Sequence, residues 1–177
     1  PHPRHRQRKN VGKRLSLRKE GSMMTAQCLL VPVDFSEYAD HAVAYAIGLA
    51  STLGVRVLLL HVIQSPPWGG IKMDVTLPHA YSTFLQHLET EVAHNMQAYV
   101  QRVTAAGLVG DMVVVHGVPF QEILETARIQ QVDLIVMGTH GRTGLYHVLL
   151  GSVAEKVVHL APCPVLVVRQ STMVRIS

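Results

Sequence analysis

The chain has 177 residues, 48% of them hydrophobic, with 16 Lys and Arg against 12 Asp and Glu and a formal charge of +4. That length fits one domain with a sizeable core, and the composition excludes a disordered or collagen-like chain. No apolar run approaches the roughly 18 to 20 residues a membrane-spanning helix requires, and two distant cysteines, Cys28 and Cys163, without CxxC spacing or a preceding secretory signal, point to a reducing, cytoplasmic setting.

The basic excess lies at one end. Residues 1–20 hold Arg4, Arg6, Arg8, Lys9, Lys13, Arg14, Arg18 and Lys19 against Glu20 alone; without them the chain keeps 8 basic and 11 acidic side chains, a net of −3. Residues 1–23 show neither the apolar stretch of a signal peptide nor sustained helical periodicity, so they are expected to form a disordered basic leader outside a folded domain at 24–177. Its preferred reading is translated upstream sequence or an added, non-native expression leader, because Lys19-Glu20 can be encoded by AAGGAG, a ribosome-binding sequence two codons ahead of Met23. A basic arm for nucleic acid or anionic lipid and a solvated tail are the alternatives. For the body, bulk basicity gives no warrant for nucleic-acid binding.

From Gln27 onward, short apolar runs alternate with amphipathic stretches. Cys28 to Val33 reads as a buried strand, and Ser36 to Leu53 as a helix with Val43, Ala46, Ile47, Ala50 and Leu53 on one face, ended by Gly54. Val55 to Val62 is a second strand, followed by a loop with Pro66, Pro67, Gly69 and Gly70. A long helix runs from about Tyr81 to Ala106, with Leu85, Leu88, Val92, Met96, Tyr99 and Val103 at spacings of three and four. Met112 to Val115 is a third strand, and Pro119 opens a helix to about Gln130. Asp133 to Met137 is a fourth strand, leading through Gly138 to Gly144 into a helix expected over Leu145 to Leu160, with Leu149, Val153, Val157 and Leu160 on one face. Pro162 and Pro164 stop it before a fifth strand, Val165 to Val168.

Strands apolar on both faces and alternating with helices specify a parallel sheet covered on both sides. Right-handed crossovers favour a single doubly wound, Rossmann-like α/β sheet of five strands in order 3-2-1-4-5. In such sheets ligands bind beyond the carboxyl ends of the strands where the order reverses, here between the first and fourth. The glycines at 138, 141 and 144 stand at that place. They permit positive φ and let a phosphate approach backbone amides at a helix N-terminus; on glycine count alone, a phosphate loop and a plain strand-to-helix turn fit equally.

The wider pattern, Gly138-x2-Gly141-x9-Gly151-Ser152, together with Leu29 to Ser36 (LLVPVDFS), Leu59 to Val62 (LLHV), Asp133 to Gly144 (DLIVMGTHGRTG) and Leu149 to Arg169, resembles the universal stress protein family in its ATP-binding type, over residues 26–170. The resemblance implies ATP as ligand, with Mg²⁺ held through the phosphates. It implies ribose contact by Asp34, adenine framed by the backbone of Pro32, Val33 and Val62, and ribose and phosphates lined by Met137, Gly138, Thr139, His140, Gly141 and Arg142. Gly151, Ser152 and Val153 would close on the phosphates through amides and a hydroxyl. Where some ATP-holding relatives carry a further hydroxyl, this chain has Ala154. The resemblance also implies a homodimer through the edge strand Val165–Val168, which an apolar edge favours on its own account; the chain end at 170–177 folding over that edge is the alternative.

Plainer roles stand beside these. Asp34 and Glu37 have capping-box spacing, and Ser36 itself suits an N-cap. Ser152 could bond back to a carbonyl of its own helix. His140 and Arg142 could be ordinary loop residues. His87 and His94 lie two turns apart, and no Cys/His cluster suggests a metal site. Cys163 reads as an inert thiol. There is no G-x-x-x-x-G-K-[ST] and hence no Walker lysine, so the expected function is an ATP-binding regulator of the stress response with little or no hydrolysis and no catalytic residue. A slow ATPase or a binder of AMP or a cyclic nucleotide, and an interaction module whose site stays empty, are the alternatives.

Overall fold

The computed structural model describes residues 27–64, 78–140 and 150–169. Five strands, β1 (Cys28–Pro32), β2 (Arg56–Ile63), β3 (Gly110–His116), β4 (Leu134–Gly138) and β5 (Val165–Val168), form one sheet in the order β3-β2-β1-β4-β5. Every pairing is parallel, as strands without polar alternation require. The doubly wound expectation is met strand for strand, and the order reverses between β1 and β4.

The pleat sends alternate residues to opposite faces, and each face builds its own core. Leu29, Val31, Val57, Leu59 and Val136 lie under α1 (Glu37–Leu53) and α2 (Pro78–Ala105). Leu30, Leu58, Leu60, Ile135 and Met137 lie under α3 (Pro119–Ile129) and α4 (Ser152–Leu160). The buried face of α1 is Ala39, Ala42, Val43, Ala46 and Ala50, mostly single methyl groups that let the helix lie close to the sheet. Leu53, expected on that face, is the last residue of the helix and is 51% exposed. Gly54 then ends it at φ 67°, a left-handed conformation that glycine adopts without a Cβ penalty. On α2, Val92, Met96, Tyr99 and Val103 are buried as their spacing predicts. Arg102 ties α2 to α1 by donating to Asp40 Oδ1 at 2.6 Å.

The largest departure concerns α4. The expected helix does not pass through Leu150 and Gly151: α4 starts at Ser152, with Gly151 as its N-cap. Residues 145–149, and with them Leu149, lie outside the described residues. Val157 is fully buried, but Leu160, at the last turn, is 59% exposed. No helix among the described residues is long and apolar enough to cross a membrane.

Candidate functional site

β1 and β4 are paired at Leu29↔Leu134 and Leu30↔Ile135, and beyond Ile135 no further pair joins them; the space between their carboxyl ends and the starts of α1 and α4 is the cleft. The β1 exit is a tight turn. Val33 extends the ladder by one bond, its N–H donating to Leu60 O at 2.8 Å. Phe35 then adopts φ 64°, an uncommon conformation for a residue with a Cβ and one that concentrates at functional sites. The turn folds its ring onto His61, with centroids 4.4 Å apart and planes 26° from parallel, and beside Tyr99 at 6.0 Å. Burial, and then the charge of Asp40, push the Tyr99 phenol up to about 12, so it stays a neutral wall of this cluster.

Asp34 sits within this turn. Its Oδ1 accepts from Ser36 N at 3.1 Å and from Ser36 Oγ at 2.6 Å, and that hydroxyl oxygen accepts from Ala39 N at 3.3 Å. Ser36 is therefore the cap of α1, and Asp34 orients the cap. The N-cap anticipated at Ser36 is real, whereas Asp34, anticipated in a capping box with Glu37, instead holds that cap, and its own carboxylate is thereby fixed beyond the end of β1.

On the other side, Gly138 ends β4 against the first turn of α1. A Cβ there would lie 2.8 Å from Tyr38 Cβ and 2.9 Å from Tyr38 O. Glycine is required for close packing of strand on helix, since Gly138 is not among the residues with positive φ. Thr139 is buried, donates its N–H to Val168 O at 3.2 Å and accepts from Gly151 N at 2.7 Å. This last bond brings the two halves of the glycine pattern together. His140 lies against Tyr38, with ring centroids 5.3 Å apart.

The Gly151 amide is thus already committed, and the phosphate-facing role expected of it does not fit this arrangement. Gly151 has φ −67° and ψ 155° and offers no side chain to cap α4. The amides of Ser152, Val153 and Ala154 make up the first turn, and the first helical bond runs from Glu155 N to Gly151 O at 2.9 Å. Among the described residues none of those three amides has a main-chain acceptor. An uncapped first turn pointing at a cleft is suited to an anion. Ser152, exposed at the first helical position, has no carbonyl one turn back in its own helix, which removes the back-bonded alternative for its hydroxyl. The side chain of Ala154, where some ATP-binding relatives are expected to carry a further hydroxyl, is buried in the core.

Of the expected site residues, the structure brings Pro32, Val33, Asp34, Val62, Met137, Gly138, Thr139, His140, Gly151, Ser152 and Val153 to one sheet edge. Met137 does so with its side chain in the α3/α4 core, leaving only its backbone toward the cleft. Gly141 and Arg142 lie outside the described residues. Phe35, Tyr38 and His61 were missed. A lone His inside an apolar strand, LLHVI, was the one signal for the last of them. Among the described residues no group of three His, Cys, Asp or Glu converges as a metal site. The cysteines lie elsewhere: burial pushes the Cys28 thiol, at the opposite end of β1, up to about 11 and raises that of Cys163 as well.

Residues 27–169 match the model of the universal stress protein family, from the start of β1 to the end of β5. The chain belongs to that family. It is 33% identical over 142 residues to universal stress protein MJ0531 of Methanocaldococcus jannaschii, covering 80% of this chain and 81% of that one. To MJ0577 of the same organism it is 31% identical over 152 residues, 80% of this chain and 94% of the other. The solved structure of MJ0577 superposes with a TM-score of 0.71 at 30% identity, over 84% of this chain and 99% of its own. A universal stress protein solved in complex with cAMP has the same fold, with a TM-score of 0.62 at 22% identity over 83% of this chain and 99% of that one.

Proposed function

We propose that this universal stress protein binds an adenine nucleotide, ATP foremost, in the cleft between β1 and β4, and acts as a nucleotide-dependent regulator with little or no hydrolysis. One observation carries the reading: the first turn of α4 is uncapped, and the Gly151–Thr139 bond pins it at the switch point of a doubly wound sheet. The amides of Ser152 and Val153 and the Ser152 hydroxyl would meet the phosphates, with Gly141 and Arg142 contributing as the family pattern implies. Asp34, its carboxylate held by Ser36, would contact the ribose. The main chain of Pro32, Val33 and Val62 would frame the base, with that of Met137 to His140 along the ribose and phosphates. Mg²⁺ would be held through the phosphates. Without a Walker lysine, the site is better equipped to hold ATP than to cleave it.

A nucleotide at ~100 times its dissociation constant adds about 2.7 kcal/mol to stability, enough to bias shape or partner choice. The test is thermal shift of the full chain with ATP·Mg, ADP, AMP and cAMP, beside a phosphate-release assay. A rise in Tm with ATP and no sustained release supports the reading. No shift with any nucleotide ends it, sustained release makes the protein a slow ATPase, and a shift with AMP or cAMP alone moves the ligand to that class.

The same reading includes a homodimer through β5. Among the described residues that strand pairs with β4 alone, and Pro164 O and Val168 O both point to β4, so the main chain of Val165 and Val167 points away from β4. Val167→Pro would remove an outward donor while leaving the β4 ladder intact. Light scattering should show a dimer for the parent chain and a monomer for the variant; a monomeric parent chain rejects the pairing.

A further inference from the structure

His61 occupies a position that the ladder reserves for a backbone amide. The pairing of β1 with β2 runs in register from Cys28↔Arg56 to Pro32↔Leu60. The bond from Val33 N to Leu60 O sets the next one in a parallel ladder, from Val62 N to Val33 O. That bond is not made. The Val33 carbonyl instead faces the Nδ1 of His61 at 2.7 Å. A carbonyl only accepts, so Nδ1 carries the proton and donates. The imidazole is 4% exposed and held under the Phe35 ring, so the substitution is built into the core.

The consequence falls on Val62. On a parallel strand the N–H and C=O of one residue point the same way, and alternate residues point to opposite neighbours. Ile63 O accepts from Gly117 N at 3.1 Å, on the β3 side. Leu60 and Val62 therefore both face β1. Leu60 finds Val33, while Val62 presents an N–H and a C=O to the gap where β1 has turned away at Phe35.

We propose that His61 is a positioning residue: by taking the Val33 carbonyl out of the ladder, its ring N–H leaves the Val62 main chain turned to the cleft to read the edge of the nucleotide base. This rests on the nucleotide reading above. The donor and acceptor of Val62 match a ring nitrogen that accepts beside an amino group that donates, as in adenine. They do not match the N–H beside a carbonyl that inosine offers.

The test uses the full chain, His61→Leu, which is close in volume and lacks the donor, and His61→Asn, whose amide NH₂ stands near the place of Nδ1. Amide hydrogen exchange without nucleotide is read first. In the parent chain the Val62 amide should exchange at least tenfold faster than that of Leu60. In His61→Leu it should slow at least tenfold as Val62 N pairs with Val33 O, and in His61→Asn it should stay fast. A Val62 amide as protected as Leu60 in the parent chain overturns the proposal without recourse to any variant. ATP and ITP affinities are read second. The parent chain and His61→Asn should favour ATP at least tenfold, and His61→Leu should bind the two within about threefold. Equal weakening of both, with the ratio kept, would make His61 a packing residue and overturn its positioning role. If the parent chain binds neither nucleotide, the nucleotide reading fails, and the exchange data alone decide whether His61 diverts the ladder.

Discussion

Two helices begin at the same cleft, and their first turns are finished in opposite ways. The α1 start is closed by its own chain: Ala39 N donates to Ser36 Oγ, and Ser36 Oγ donates to Asp34 Oδ1. The α4 start carries glycine at the corresponding position, and its one committed amide, that of Gly151, is tied back to β4 rather than to a cap. A helix end that satisfies itself needs nothing from outside. One held in place but left uncapped keeps its dipole and donors for an incoming anion. The contrast distinguishes a helix start closed by its own chain from one with donors to spare, the one that the proposed nucleotide reading uses.

The comparison breaks most severely at Gly138, which packs the start of α1 onto β4. Gly138→Val forces a side chain onto Tyr38 backbone atoms and should cost about 1 to 3 kcal/mol, a Tm lower by roughly 3 to 10 °C in a thermal melt without nucleotide. It is thus a poor probe of phosphate binding. Gly151→Asp is the sharper one, since it gives α4 the kind of cap that α1 has. Gly151 already has a backbone conformation any residue can adopt, so stability should rise by a few tenths of a kcal/mol while the carboxylate repels phosphate. ATP affinity by calorimetry should fall at least tenfold.

The α1 start can be opened in turn. Ser36→Ala removes the cap and should cost about 1 kcal/mol by chemical denaturation. Asp34→Asn keeps an oxygen for Ser36 and should leave stability within about 0.5 kcal/mol while lowering ATP affinity a few-fold, which separates the capping duty from the ribose contact. The smallest effect belongs to the far end of β1. Because burial raises the Cys28 thiol from 9.0 to about 11, the folded chain holds that proton after the unfolded chain has released it. Its contribution to stability is full below about pH 9 and is lost as pH rises toward 11. Alkylation of Cys28 at pH 8 should be slow and should not change when ATP is added.

Strand order and the buried stripe of α2 were legible because period and apolarity decide them locally. The start of α4 was not. Leu145 to Leu160 has unbroken apolar periodicity, and what ends the helix at Ser152 is a bond to Thr139, twelve residues away in sequence from Gly151. Leu53 and Leu160 keep the helical period to the last residues of α1 and α4, yet both are exposed, because period alone does not say where the packing stops. Asp34, Gly138 and Ser152 were named from their pattern, yet the reason for glycine at 138 is the backbone of Tyr38, which only the fold brings near. His61 shows the limit most plainly. Its partner is a carbonyl 28 residues away, and nothing in LLHVI says which strand will turn aside to offer it.

Thr139 holds β5 by its N–H and the start of α4 by its carbonyl. A single 2.7 Å bond thus joins Thr139 to Gly151 and closes the intervening chain on itself. Lengthening such a loop raises its closure cost only slowly, about 0.6 kcal/mol for each doubling. Insertions between Thr139 and Gly151 would leave both anchors in place, so the chain can change in length there without rebuilding the site that the anchors hold.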